Sequence, residues 1–209
     1  MNKKKTIVVA IVLLLVLLIG GMLAYFTDDD AKTNTFTLGN VNIQLNETGW
    51  ELDGTKYKRT DEANENIVPG VAIAKAPTVE NIGNGTNGND AYVFVKVEVP
   101  QASISVGGAT ASVQDIYTIN NVNSAWTELT TLNSNGTHVY VYGTGTTKAA
   151  MSTLEFGDET PAVFESVTLK NVADPTSLPA NLDIVVTAYG IQADGVTETS
   201  ATDIFALFN

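Results

Sequence analysis

Catalysis by a chain of this kind would need a nucleophile with its base, a set of metal ligands or a phosphate cradle. His138 is the only histidine of the 209 residues. It lies in Thr137-His138-Val139-Tyr140-Val141, where alternation puts it on the polar face of a strand, a surface side chain rather than a ligand. There is no Cys and no H-E-x-x-H, so the usual zinc sets cannot be assembled, and no G-x-S-x-G marks a serine nucleophile. Gly83-Asn84-Gly85-Thr86-Asn87-Gly88 spells G-x-G-x-x-G, but a dinucleotide site needs a helix after it, and here a strand pattern follows. Gly143-Thr144-Gly145-Thr146-Thr147-Lys148 lacks the Gly-Lys-Ser/Thr ending of a phosphate loop. Asp28-Asp29-Asp30 opens like a calcium loop, yet the count from Asp28 puts Thr33 at the required glycine and Gly39 at the bidentate glutamate. The sequence therefore predicts no catalytic residues, no metal site, no cofactor and no enzyme.

The elements that would carry these residues read as strands and turns. Phe36 and Leu38 flank Thr37, and Val41, Ile43 and Leu45 alternate with Asn42 and Gln44. Glu47 to Asn66 is polar, a long loop or short edge hairpin. Ile67-Val68-Pro69-Gly70 is a turn signal. Val71 to Val79 is a strand region interrupted by Pro77, which cannot donate to a ladder. Ala91 to Val99 is the clearest strand, with Ala91, Val93, Val95, Val97 and Val99 on one face and Tyr92, Phe94, Lys96 and Glu98 on the other. Ser112 to Tyr117 is read as a short helix. Thr137 to Tyr142, Phe164 to Leu169 and Leu182 to Ile191 alternate again, and no long amphipathic helix is apparent. The expected fold is all-β: an antiparallel two-sheet β-sandwich of jelly-roll type over residues 46–209, preceded by an N-terminal signal helix.

That helix is the chain's most distinctive stretch. Lys3, Lys4 and Lys5 precede a 13-residue apolar run from Ile7 to Ile19, then Gly20-Gly21-Met22-Leu23-Ala24-Tyr25-Phe26. This is the pattern of a secretory signal over residues 1–24, with cleavage between Ala24 and Tyr25. An uncleaved signal anchor is the alternative, because Ile7 to Phe26 carries no charge over 20 residues. Removing residues 1–24 takes away three of the 11 Lys/Arg and none of the 23 Asp/Glu, moving the formal charge from −12 to −15. So acidic a surface excludes nucleic acid as a partner and disfavours anionic lipid.

Two runs near the N-terminus, Gly20 to Asp28 and Thr33-Asn34-Thr35-Phe36-Thr37-Leu38-Gly39-Asn40-Val41, resemble the processed N-terminus of the TasA/camelysin (CalY) family. Ile67-Val68-Pro69-Gly70, Lys75 to Gly83, Asp90-Ala91-Tyr92-Val93 and Ala188-Tyr189-Gly190-Ile191-Gln192-Ala193-Asp194-Gly195 extend the resemblance over most of the chain. Met22 departs from it where a small residue is usual, and Gly190 where alanine is expected. The resemblance implies a jelly-roll subunit of extracellular or biofilm-matrix fibres in Gram-positive bacteria, exported through the membrane and cut by a SipW-type signal peptidase. It implies self-assembly, head to tail, with the freed N-terminus of one subunit added as a strand to the next, and leaves room for a minor matrix or anchoring protein.

In this sequence the donor segment would be Tyr25, Phe26, Thr27, Asp28, Asp29, Asp30, Ala31, Lys32, Thr33, Asn34 and Thr35, within an N-terminal region of residues 25–45 that also holds the first strand. Fully extended, those residues span roughly 36 Å. Before cleavage they continue the membrane helix and cannot reach a neighbour. Two other readings stay open. One is a cell-surface or membrane-anchored adhesin with Tyr140 and Tyr142 on a polar face; the other is a metallopeptidase, after the label that camelysin carries.

Overall fold

The computed structural model describes residues 36–38, 41–47, 50–53, 56–59 and 67–208. All of them belong to one compact unit, Thr33–Asn209. The signal helix, the Ala24–Tyr25 cleavage site, the Asp28–Asp30 run and the donor segment Tyr25 to Thr35 lie outside the described residues. Among those described, no helix is long and apolar enough to cross a membrane.

Strand β7 (Ala91–Glu98) is the axis of the fold. On one side it pairs antiparallel with β15 (Val185–Gln192). On the other it pairs with β12 (Thr137–Tyr142) and, at its start, with β13 (Thr153–Leu154). β11 (Trp126–Glu128) extends the sheet beyond β12, and β1 (Phe36–Leu38) lies along β15, giving the order β1-β15-β7-β12-β11. β1 joins in parallel, with Phe36 opposite Tyr189, so the antiparallel expectation holds for every other pairing in this sheet.

The alternation read in Ala91–Val99 is realised. Ala91, Val93, Val95, Val97 and Val99 enter one core, while Tyr92 and Phe94 enter a second on the opposite face. The first core is closed by β2 (Ile43–Glu47), which pairs with β6 (Pro77–Asn81), and by the sheet of β10 (Tyr117–Asn120), β14 (Ser166–Leu169) and β5 (Ala72–Ala74). Full burial of a side chain such as Phe164 contributes roughly 1.5–3 kcal/mol. β2 presses so closely on β15 that a Cβ on Gly190 would stand 2.9 Å from Ile43 Cγ2. That contact explains the glycine where the family resemblance suggests alanine.

The second core is closed by a C-terminal helix, α1 (Ala201–Phe205), with a 3-10 turn, Ala206–Phe208. Phe205 and Phe208 stack around Phe94 and Tyr189 with ring centroids 5.2–5.9 Å apart. Ser200 caps the helix by accepting the Asp203 N–H at 3.2 Å.

Two smaller hairpins complete the unit. The polar stretch after β2 forms β3 (Trp50–Asp53) against β4 (Lys56–Arg59), the edge hairpin alternative. Ser112 to Tyr117 is not helical: β9 (Ser112–Asp115) pairs with β8 (Gln101–Ile104), and Tyr117 already starts β10. The partner strand precedes it across the turn of residues 105–111, and pairing with it overrides the local preference. Pro77 opens β6 and Lys75 precedes it, so the break falls where a missing donor costs nothing.

Candidate functional site

The two-residue turn at Asn135-Gly136 places the histidine. Asn135 (φ 49°) and Gly136 (φ 81°) adopt the left-handed region that a type I′ hairpin requires, and Thr137 N–H donates to the Ser134 carbonyl at 2.8 Å. A side chain at Gly136 would strike the Val99 carbonyl, at 2.1 Å from a Cβ, so the register of β12 on β7 is fixed at this end. His138 then falls opposite Val97, on the face that carries Tyr140 and the first core, not on an outward polar face.

There the imidazole is held from both sides. Nε2 lies 2.8 Å from Asp115 Oδ2, and Nδ1 lies 2.9 Å from Glu128 Oε1. The carboxylates are themselves fixed: Gln101 Nε2 donates to Asp115 Oδ1 at 2.8 Å, and Asn133 Nδ2 donates to Glu128 Oε1 at 2.8 Å. Burial pulls the imidazole pKa down, but the bonds from Glu128 and Asp115 outweigh it and the net direction is upward. The Tyr140 phenol is pushed up as well, by burial first and then by Glu128 and Asp115, so it stays protonated. This polar chain ties β8, β9, β11, β12 and the Thr130–Leu132 turn together.

The other chemical candidates turn out to be structural. The G-x-G-x-x-G glycines carry the ring of Phe156: a Cβ on Gly83 or on Gly88 would stand 2.7 Å from Phe156 Cδ2. The Gly143–Lys148 segment ends with Lys148 donating to the Val196 carbonyl and lying over the Tyr92 ring, 5.9 Å from its centroid. Tyr140 is 2% exposed, and Tyr142 packs on Trp126 with centroids 5.4 Å apart. Of the two aromatics on which the adhesin reading relied, Tyr140 is therefore a core residue and Tyr142 is half-buried against that core. Sequence reasoning missed the Asp115–His138–Glu128 set, whose members stand 23 and 10 residues apart. It also missed a buried ion pair, Lys75 Nζ to Glu47 Oε1 at 2.7 Å and Oε2 at 2.9 Å, which ties β2 to the β5–β6 connection.

The molecule so defined is an all-β sandwich whose charged groups join strands rather than converge on an open cleft. Its residues 1–99 match the family model described as Camelysin metallo-endopeptidase. That match over the N-terminal stretch supports the resemblance to the TasA/camelysin family that the sequence segments suggest. No curated protein and no solved structure matches it.

The family description implies a metal ion, and the donors among the described residues do not fit one. Catalytic zinc takes three protein ligands from His, Cys, Asp and Glu and keeps one position open. The sole histidine has a carboxylate oxygen within 2.9 Å of each ring nitrogen. Among the described residues no group of three such side chains is placed to hold a metal ion.

Proposed function

We propose that this chain is an exported structural subunit that polymerises into extracellular fibres by donor-strand exchange of its freed N-terminus. The observation that carries the reading is the family N-terminus running directly into β1, an edge strand. Tyr25 to Thr35 precede Phe36, whose strand is the last of the main sheet among the described residues, so β1 lies at a sheet margin. A strand passed to a neighbour gains main-chain hydrogen bonds there, with alternate side chains in pockets. Repeating that contact head to tail gives an open filament.

The acceptor we assign is the free margin of β5, filled by Tyr25 to Thr35 of a neighbouring copy. β5 ends its sheet among the described residues. From Ile67 to Ala74 there is no charged side chain, and Val68 and Val71 are 52% and 54% exposed. Natural sheet edges are ordinarily guarded by charge, so an apolar margin of this kind suits strand addition. The SipW-type signal peptidase that would free Tyr25, secretion to the cell surface and matrix, and any minor anchoring protein belong to this same reading. Among the described residues the metallopeptidase alternative has no fitting donor set, and the adhesin alternative loses Tyr140 to the core.

Negative-stain electron microscopy of Tyr25–Asn209 beside Phe36–Asn209 tests it. Filaments from the first and monomers from the second are expected. Monomers from both at high concentration would remove self-assembly by this chain alone.

A further inference from the structure

We propose that Asp115, His138 and Glu128 form a proton-held latch that fastens the β8–β9 hairpin to the main sheet, and that rising pH releases it. This goes beyond the assembly reading and does not depend on it. A neutral imidazole has one N–H and can donate to one carboxylate only; its other nitrogen would then present a lone pair to the second. Both ring nitrogens of His138 stand within 2.9 Å of a carboxylate oxygen, a geometry satisfied by the doubly protonated ring. Neither carboxylate is free to turn away, since Gln101 and Asn133 hold them.

The latch sits at the root of the hairpin. Gln101 opens β8, Asp115 closes β9, and Glu128 and His138 belong to the main sheet. Along its far side the hairpin is tied by the Val106–Val172 bridge and by Ala173 N–H to the Ser105 carbonyl at 3.2 Å. Beneath it Ile104 and Ile116 are fully buried, so a loosened hairpin uncovers core. The titratable groups facing the ring are Asp115 from β9, Glu128 from β11 and the Tyr140 phenol on β12 itself. On β7, Val97 is the partner in register, and Lys96 and Glu98 alternate to the opposite face, where they pair at 3.1 Å. Lys170, beside the hairpin, gives its ammonium to Gln114 Oε1 at 3.1 Å.

The sign follows from the raised folded-state pKa. Stabilisation by the latch is complete below the unfolded imidazole value of about 6.5 and is lost as pH rises through the higher folded value. Deprotonation then leaves two half-buried carboxylates facing each other without the cation between them.

One histidine makes the test direct. In the full chain, 15N-labelled and held in detergent micelles, ring-nitrogen shifts are followed from pH 5 to 10 together with amide protection factors in β8 and β9. The expected result is one titration step, above the ordinary imidazole range, at which both ring nitrogens change and hairpin protection falls at least tenfold. Asp115→Asn and Glu128→Gln, which keep the side-chain shape, are each expected to lower that midpoint. A ring that titrates near 6.5, or one whose titration leaves hairpin protection unchanged, overturns the proposal.

Discussion

Two charged links hold peripheral strands onto this sandwich, and they differ in kind. Lys75 and Glu47 join β2 to the β5–β6 connection as a pair of opposite fixed charges with both side chains almost buried. Asp115, His138 and Glu128 join the β8–β9 hairpin to the main sheet with a cation that exists only while the imidazole is doubly protonated. The second link bridges sheets that share no ladder, whereas the first closes the end of the β2–β6 ladder, where Glu47 stands opposite Pro77. The first joins an ammonium to a carboxylate; the second is conditional on the second proton of the imidazole. A chain without Cys has no disulfides to do this work, so ionic links at strand ends take a share of it.

The comparison can be broken at its stronger member first. Glu47→Ala removes both bonds to the Lys75 ammonium inside the protein, and breaking a buried pair by one partner costs about 3 kcal/mol or more. Urea unfolding of Tyr25–Asn209 should show that loss equally at pH 6 and pH 8.5. His138→Gln should cost less, about 1–3 kcal/mol at pH 6, through lost hydrogen bonds to charged groups. Its deficit against the parent should shrink as pH rises through the folded-state imidazole value, because the parent itself then loses the cation. A deficit that stays constant across that titration would make the two links alike and end the distinction. Smallest in stability is Val71→Lys, an exposed substitution expected to stay within about 0.5 kcal/mol. It places a charge on the β5 margin and should abolish filaments while leaving the monomer folded, as circular dichroism would show.

The regions also differ in how far they could be read from sequence. β7 was legible because its valines alternate within eight residues and nothing else competes. The G-x-G-x-x-G loop was legible as a loop from the strand that follows it. β12 was legible as a strand but not in its facing. Thr-His-Val-Tyr-Val-Tyr alternates two sets that are both half apolar, and burial reaches both faces because α1 covers the side away from the first core. His138, Tyr140 and Tyr142 were accordingly assigned to the wrong environment. The Ser112–Tyr117 segment was misread because its partner strand, closed through Gly107-Gly108 at positive φ, decides its conformation. α1 carried a usable signal, Ser200 followed three residues later by Asp203, whose N–H bonds back to the serine. The latch carried none, since its three members come together only through the pairing of four strands.

The central claim, that one copy donates Tyr25 to Thr35 to the β5 margin of another, is tested most directly by mixing two half-competent chains. Phe36–Asn209 lacks the donor and keeps the acceptor; Tyr25–Asn209 with Val71→Lys keeps the donor and lacks the acceptor. Sedimentation velocity should find each monomeric alone and a one-to-one heterodimer, with nothing longer, in the mixture. Association of Phe36–Asn209 with itself, or no heterodimer at high concentration, would contradict the account.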